Sequence, residues 1–298
     1  MKQKLLSLFT VLILCFTFFT GCSDDSKGTT ASGDNDKVTT TPTEAAAVPE
    51  ANDTSSDADA LPDSEVYVFL AASLANSMDE IKELYEASHP NVTLVYNSDS
   101  SGTLQTQIEE GAECDVFFSA AMKQISALDQ GGYIEPDSIK NLLENIVVLI
   151  KPTGGETAVT GFENIFDAKN LALAGEDVPV GAYAREIFNS LGIWDKVEAM
   201  EINEGANVTA VLAAVSEASN EVGVVYATDA NSVKNSVEII AYAPDGSLQT
   251  PVLYPACLIK NPDADENQIM ASKDFMEFLS SDEAMAVFEA YGFSAYTE

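Results

Sequence analysis

A chain of 298 residues with 48 Asp plus Glu against 14 Lys plus Arg carries a formal charge of −34 and a sequence pI near 4.1. Such a field repels nucleic-acid phosphates, whose binding needs clustered Lys and Arg, and it disfavours anionic lipid headgroups for the same reason. Single His, Arg and Trp residues (His89, Arg185, Trp194) exclude a His-rich metal centre and an Arg-lined phosphate clamp, while 46% apolar content excludes a disordered acidic polymer.

The chain opens Met1-Lys2-Gln3-Lys4, runs uncharged from Leu5 to Thr20 and reaches Gly21-Cys22. A basic start, a short apolar run and a small residue before the cut predict a secretory signal over 1–21. The run falls short of the ~20 apolar residues that span a bilayer. Phe19-Thr20-Gly21-Cys22 resembles a bacterial lipoprotein box, which implies acylation of Cys22 and anchoring to the outer face of the cytoplasmic membrane. Residues 22–64 are rich in Ser, Thr, Asp, Ala and Pro and nearly free of large apolar side chains, so they read as a disordered tether. The folded part is then 65–298, with 10 basic and 38 acidic residues, so the acidity belongs to the domain itself. Within it, Cys114 and Cys257 stand singly beside apolar runs and read as buried small hydrophobes, with their pairing left open. No Cys-x-x-Cys pair supports a zinc or redox site.

From Val66 short apolar runs alternate with helical periods, which predicts α/β architecture. Strands are expected at Val66–Leu70, Thr93–Tyr96, Val116–Phe118 and Ile146–Ile150. Helices fall between them, the first carrying Met78, Ile81, Leu84 and Tyr85 on one face and stopping at His89-Pro90. A second, similar unit has strands at Leu171–Ala174, Val222–Tyr226, Val237–Ala243 and Val252–Lys260. Its helices run from Ala182 to Leu191 and from Val208 to Ala218, and two more follow at Asp265–Leu279 and Asp282–Tyr291. The economical arrangement is two lobes, 65–147 with 251–298 and 148–250, joined by crossings near Val147–Pro152 and Ala243–Tyr254. A two-segment hinge of that kind suits closure over a ligand.

Chemistry is expected at the strand–helix junctions. Ala71-Ala72-Ser73-Leu74 follows the first strand, and Asn97-Ser98-Asp99-Ser100-Ser101-Gly102-Thr103-Leu104 follows the second. Asp177 to Ala184 and Glu204 to Thr209 open helices in the second unit. Free amides and the helix dipole favour an anion at such ends. Taken singly, Ser73 and Ser101 read as plain N-caps; four amide-rich starts converging on one cleft read as a ligand site.

Several stretches in order resemble the molybdate-binding proteins of ABC importers. They are Val68 to Leu74, Ser100 to Leu104, Asp115 to Ala120, Val178 to Ala184, Gly223 to Ala230 and Tyr291-Gly292-Phe293. The resemblance spans about Val66 to Phe293 and implies a two-lobed periplasmic-binding-protein fold of type II, with two sheets flanked by helices. It implies a non-enzymatic, monomeric protein that takes a tetrahedral oxyanion, molybdate or tungstate, and passes it to an ABC permease and its ATPase. Carried over by position, the contacts are the hydroxyls and amides of Ser73 and Ser101, the amides of Val180 and Val208, and the phenol of Tyr226. Molybdenum enters only as molybdate, and no cofactor is expected. Ala227 stands where the family has Gly after the Tyr, and Asn207 where Asp is frequent; Asn207 receives no role. Arg185, one turn inside its helix, reads as solvated or salt-bridged.

Two rivals use other chemistry. A hydrolase needs a base for Ser73 or Ser101, yet His89 sits in a helix stop and no Gly-x-Ser-x-Gly elbow exists. A ferric-iron-binding protein could use Tyr226, Tyr242 and Tyr254, but no His or carboxylate cluster has suitable spacing. Lys151 to Gly155 reads as a turn, and Glu109-Glu110 and Asp282-Glu283 as solvated helix surface.

Overall fold

The computed structural model describes residues 61–297. The signal, Cys22 and most of the tether lie outside the described residues. Leu61 already packs on the core and its carbonyl accepts from Asn91 Nδ2 at 3.0 Å, so the docked chain begins a few residues before Glu65.

Apolar and β-branched runs form the strands, and 3.6-residue periods form the helices between them. In order these are β1 (Ser64–Ala71), α1 (Ala75–Ser88), β2 (Val92–Asp99), α2 (Ser101–Glu109), β3 (Val116–Phe118), α3 (Met122–Gln130) and β4 (Lys140–Asn145). Then follow β5 (Val147–Pro152), β6 (Asn170–Ala174), α4 (Pro179–Ser190), α5 (Trp194–Glu198), β7 (Glu201–Gly205), α6 (Val208–Ser216) and β8 (Val222–Tyr226). The chain closes with α7 (Ala227–Ser232), β9 (Val237–Tyr242), β10 (Val252–Leu258), α8 (Glu266–Phe278), α9 (Asp282–Ala290) and β11 (Ser294–Ala295). On α1, Met78, Ile81 and Tyr85 are fully buried, as their spacing demands, and His89 ends the helix.

Two sheets result. The first has the order β11-β4-β10-β3-β1-β2 and the second β7-β6-β8-β5-β9. β1 runs parallel to β2 and β3, and β6 parallel to β7 and β8, whereas β10 and β5 are antiparallel to the strands beside them. The chain passes between the sheets at Ile146 and again across residues 243–251. The first crossing is therefore sharper than the Val147–Pro152 segment expected from sequence. All of Val147 to Pro152 pairs with β8 or β9, because Val147 to Ile150 are fully buried and need sheet partners on both sides. β4, β7, β11 and the short α5 and α7 carry no pattern strong enough to read in advance. β7 has no fully buried residue, and β4 is broken by Glu144 and Asn145.

Candidate functional site

β1, β2, β6 and β7 each end at a junction with a helix, and the four junctions meet. β1 leads through a 3-10 turn, Ala72–Leu74, into α1. β2 leads through Ser100 into α2. β6 leads through Val178 into α4, with Pro179 at the first helical position. β7 leads through Asn207 into α6. Proline suits that first position, having no amide to leave unpaired. Gly181 lets α4 begin against the carbonyls of Ala174 and Gly175 at the end of β6, since a Cβ there would overlap both.

Between these junctions lies a cavity with about 200 Å³ of empty space, lined by Ser73, Ser101, Val180, Val208 and Tyr226 together with Ala72, Ala120 and Pro179. The space is small and tightly enclosed by these helix starts. The structure brings all five residues singled out by position into one space. No charged side chain lines it.

Neither serine is an N-cap. Ser100 caps α2, its Oγ accepting from Thr103 N at 3.1 Å. Ser101 is instead the first helical residue, and its Oγ accepts from Ala120 N at 3.0 Å, which leaves its own proton free. Ser73 lies in the 3-10 turn with Oγ 2.8 Å from the Tyr254 hydroxyl. The amides of Ser101, Val180 and Val208 lie in first helical turns, where no intrahelical acceptor exists. Tyr226 is 1% exposed, and its hydroxyl has no hydrogen-bond partner. The nearby Tyr254 hydroxyl is already engaged by Ser73 and Asn145. Burial, with Tyr254, Tyr183 and Asp229 nearby, pushes the Tyr226 phenol well above its ordinary pKa, so it is a neutral donor at physiological pH. A buried hydroxyl without a partner is costly, and such a group in a native fold calls for one.

Two of the contacts that join the halves lie at these helix starts. Asn207 in the second half donates through Nδ2 to Asp99 Oδ1 in the first at 3.1 Å, while its Oδ1 caps α6 by accepting from Ala210 N at 3.0 Å. Asn207 thus has a role that sequence left unassigned, and it uses both ends of its amide. An Asp there keeps the cap and loses the donor, facing Asp99 with a second carboxylate. Asn207→Asp is expected to weaken ligand binding about tenfold with little change in ligand-free stability, as read by calorimetry and thermal melting. The second contact is a close backbone approach: a Cβ on Gly102 would overlap the carbonyl oxygen of Asp177.

Asp229 is 8% exposed and accepts from Tyr226 N at 3.1 Å. Burial raises its pKa to about 7, opposed by that hydrogen bond. The native state therefore holds a proton that an unfolded Asp, near 3.9, has lost, so stability falls as pH rises from about 4 to about 7. Asp229→Asn keeps an acceptor for Tyr226 N and cannot ionise. It is expected to be more stable than the parent at pH 8, by up to about 4 kcal/mol, and to lose that component of the slope in pH-dependent urea unfolding.

The remaining candidates are engaged elsewhere. Arg185 donates to the carbonyls of Ala174 (2.7 Å) and Gly181 (2.9 Å) and pairs with Glu204 at 3.6 Å, so it braces α4 outside the cavity. His89 stacks on Tyr85, with Nε2 3.3 Å from Asp274. Cys114 and Cys257 are buried and free. Of the three tyrosines an iron site would recruit, Tyr242 is 57% exposed while Tyr226 and Tyr254 are buried. Among the described residues no group of three His, Cys, Asp or Glu is placed to hold a metal. Sequence reasoning missed Asn145, Ala120 and the Asp99–Asn207 pair, and weighed Tyr254 only as an iron ligand.

Residues 66–294 match the family described as bacterial extracellular solute-binding protein. The chain belongs to that family. This solute-binding protein is 35% identical over 98% of its length to the Bacillus subtilis "putative ABC transporter substrate-binding lipoprotein YvgL", 99% of which is covered. It is 36% identical to the molybdate-binding protein ModA of Haemophilus influenzae, over 78% of this chain and 90% of that one. Its fold is that of the Azotobacter vinelandii periplasmic molybdate-binding protein, with a TM-score of 0.66 at 20% identity, over 78% of this chain and 100% of that one. The α/β class with two helix-flanked sheets expected from sequence thus holds for this solute-binding protein. Among the described residues no helix is long and apolar enough to cross a membrane.

Proposed function

We propose that this protein captures molybdate, and the nearly isosteric tungstate, in the cavity between its two halves and delivers it to an ABC permease and its ATPase. The observation that carries this reading is the buried, partnerless Tyr226 hydroxyl in a cavity without charged side chains. A dianion leaving water must have most of its oxygens hydrogen-bonded or its desolvation is prohibitive. About seven neutral donors, from Ser73, Ser101, Val180, Val208 and Tyr226, meet that need at roughly 1.5–3 kcal/mol each. Backbone amides fixed on helices cannot contract around a smaller anion, which disfavours sulfate. The crossings at Ile146 and 243–251 serve as the hinge, and the Asp99–Asn207 bond holds the closed form. The protein works as a monomer outside the cytoplasmic membrane, held by a lipid on Cys22.

Calorimetry of the mature protein with molybdate, tungstate, sulfate and phosphate tests this. Tight binding of the first two, weakened by Ser101→Ala, is the expected result. Absence of heat from both molybdate and tungstate sinks the reading.

A further inference from the structure

Ser73 Oγ is 2.8 Å from the Tyr254 hydroxyl, which is 3.2 Å from Asn145 Nδ2. Tyr254 is fully buried and Asn145 nearly so. The direction of each bond is fixed from the far end. Asn145 Oδ1 accepts from Ile146 N at 2.8 Å, and a backbone N–H only donates, so the other end of the amide is the nitrogen. Its two protons go to Thr228 Oγ1, at 2.9 Å, and to the Tyr254 oxygen. Tyr254, accepting from Asn145, still has its own proton to place. Ser73 Oγ, at 2.8 Å, is the oxygen placed to accept it, the neighbouring Tyr226 hydroxyl lying outside hydrogen-bond geometry, and a buried proton without an acceptor is unfavourable. Tyr254 therefore donates to Ser73, and the Ser73 proton is left for the cavity.

Ser101 reaches the same state through the backbone, its Oγ accepting from Ala120 N. With the unpartnered Tyr226 hydroxyl, three O–H groups are left to donate inward, and no carboxylate or other obligate acceptor side chain lines the space. We propose that Asn145 and Tyr254 are positioning residues that hold Ser73 as a hydrogen-bond donor, making the cavity selective for tetrahedral oxyanions that carry no proton. The proposal rests on reading the cavity as an oxyanion site. Asn145 ends β4 beside the first crossing and Tyr254 lies in β10 just past the second, while Thr228 belongs to the other half. The donor set is thus assembled where the halves join.

The test compares molybdate with hydrogen arsenate, a tetrahedral dianion that keeps one proton near neutral pH. In Asn145→Asp the carboxylate accepts from Tyr254, Ser73 must donate to Tyr254 in turn, and its lone pair faces the ligand. The added charge repels both dianions alike and cancels in their ratio. The expected result by calorimetry is a shift of the molybdate-to-arsenate affinity ratio toward arsenate by about tenfold, the weight of one charge-assisted hydrogen bond. Tyr254→Phe, which frees Ser73 to turn, is expected to shift the ratio the same way by a smaller factor, and either variant suffices if the other fails to fold. A parent that binds molybdate while the variants keep its ratio overturns the relay alone. A parent that binds neither molybdate nor tungstate overturns the oxyanion reading, and the relay with it.

Discussion

Tyr226→Phe is expected to weaken molybdate binding by about 10- to 100-fold without destabilising the ligand-free protein. The hydroxyl is buried with no partner, so removing it breaks no bond in the empty fold and relieves an unpaired donor. The ring keeps its edge-on packing against Tyr254, with centroids 5.7 Å apart. A charge-assisted hydrogen bond contributes about 1.5–3 kcal/mol, which sets the loss of affinity. Calorimetry gives the first quantity and thermal melting of the ligand-free protein the second. Unchanged affinity, or a melting temperature that falls as far as the binding energy, would mean that the Tyr226 hydroxyl serves the fold and touches no ligand.

Gly102→Ala is the second large effect. Gly102 sits in the first turn of α2 with an ordinary helical backbone, so Ala favours the helix by up to about 1 kcal/mol. The added methyl, however, would overlap the carbonyl oxygen of Asp177, which lies ahead of α4 in the other half. An obstructing backbone atom cannot swing aside as a side chain can, so the halves must stay apart. Overpacking of this kind costs about 1–3 kcal/mol, paid only in the closed form. Affinity for molybdate should drop at least tenfold while ligand-free stability holds or rises. Small-angle scattering should then find the variant's radius of gyration unchanged at a molybdate concentration that compacts the parent. A variant that compacts like the parent would show that the Gly102–Asp177 approach does not limit closure.

Much of the architecture was legible because its strands are buried runs. Val222 to Tyr226 and Val147 to Ile150 have no exposed face, and such runs between helical periods leave little choice but an α/β sheet. β7 was not legible, since Glu201 to Gly205 holds no fully buried residue and becomes a strand through pairing with β6. The lining residues could be named because the resemblance to molybdate-binding proteins carries them over by position; read singly, small hydroxyl residues at strand–helix junctions point first to capping. Both uses meet at Ser100 and Ser101, neighbours that line the cavity together, of which Ser100 also caps α2. Asn145, Tyr254 and Asp99 were out of reach because their roles depend on partners 83 to 181 positions away in the chain, or 108 in the case of Asp99. An Asn ending an apolar strand run was the one local signal, a polar group that must find a partner if buried.

The strand order also governs how the protein can be assembled. The second sheet is built from residues 147–242, an unbroken stretch, whereas the first places β10, from beyond residue 250, between β3 and β4. Emerging N-terminus first, the chain can complete the second sheet before the first has its middle strand. Until then β3 and β4 each present an unpaired edge, the condition under which chains aggregate or mispair. The long loop closure that brings β10 home is slow compared with local pairing. Folding is therefore expected to finish at the first sheet, with Tyr254 arriving on β10 only then, so that the cavity between the four junctions is the last part of the molecule to exist.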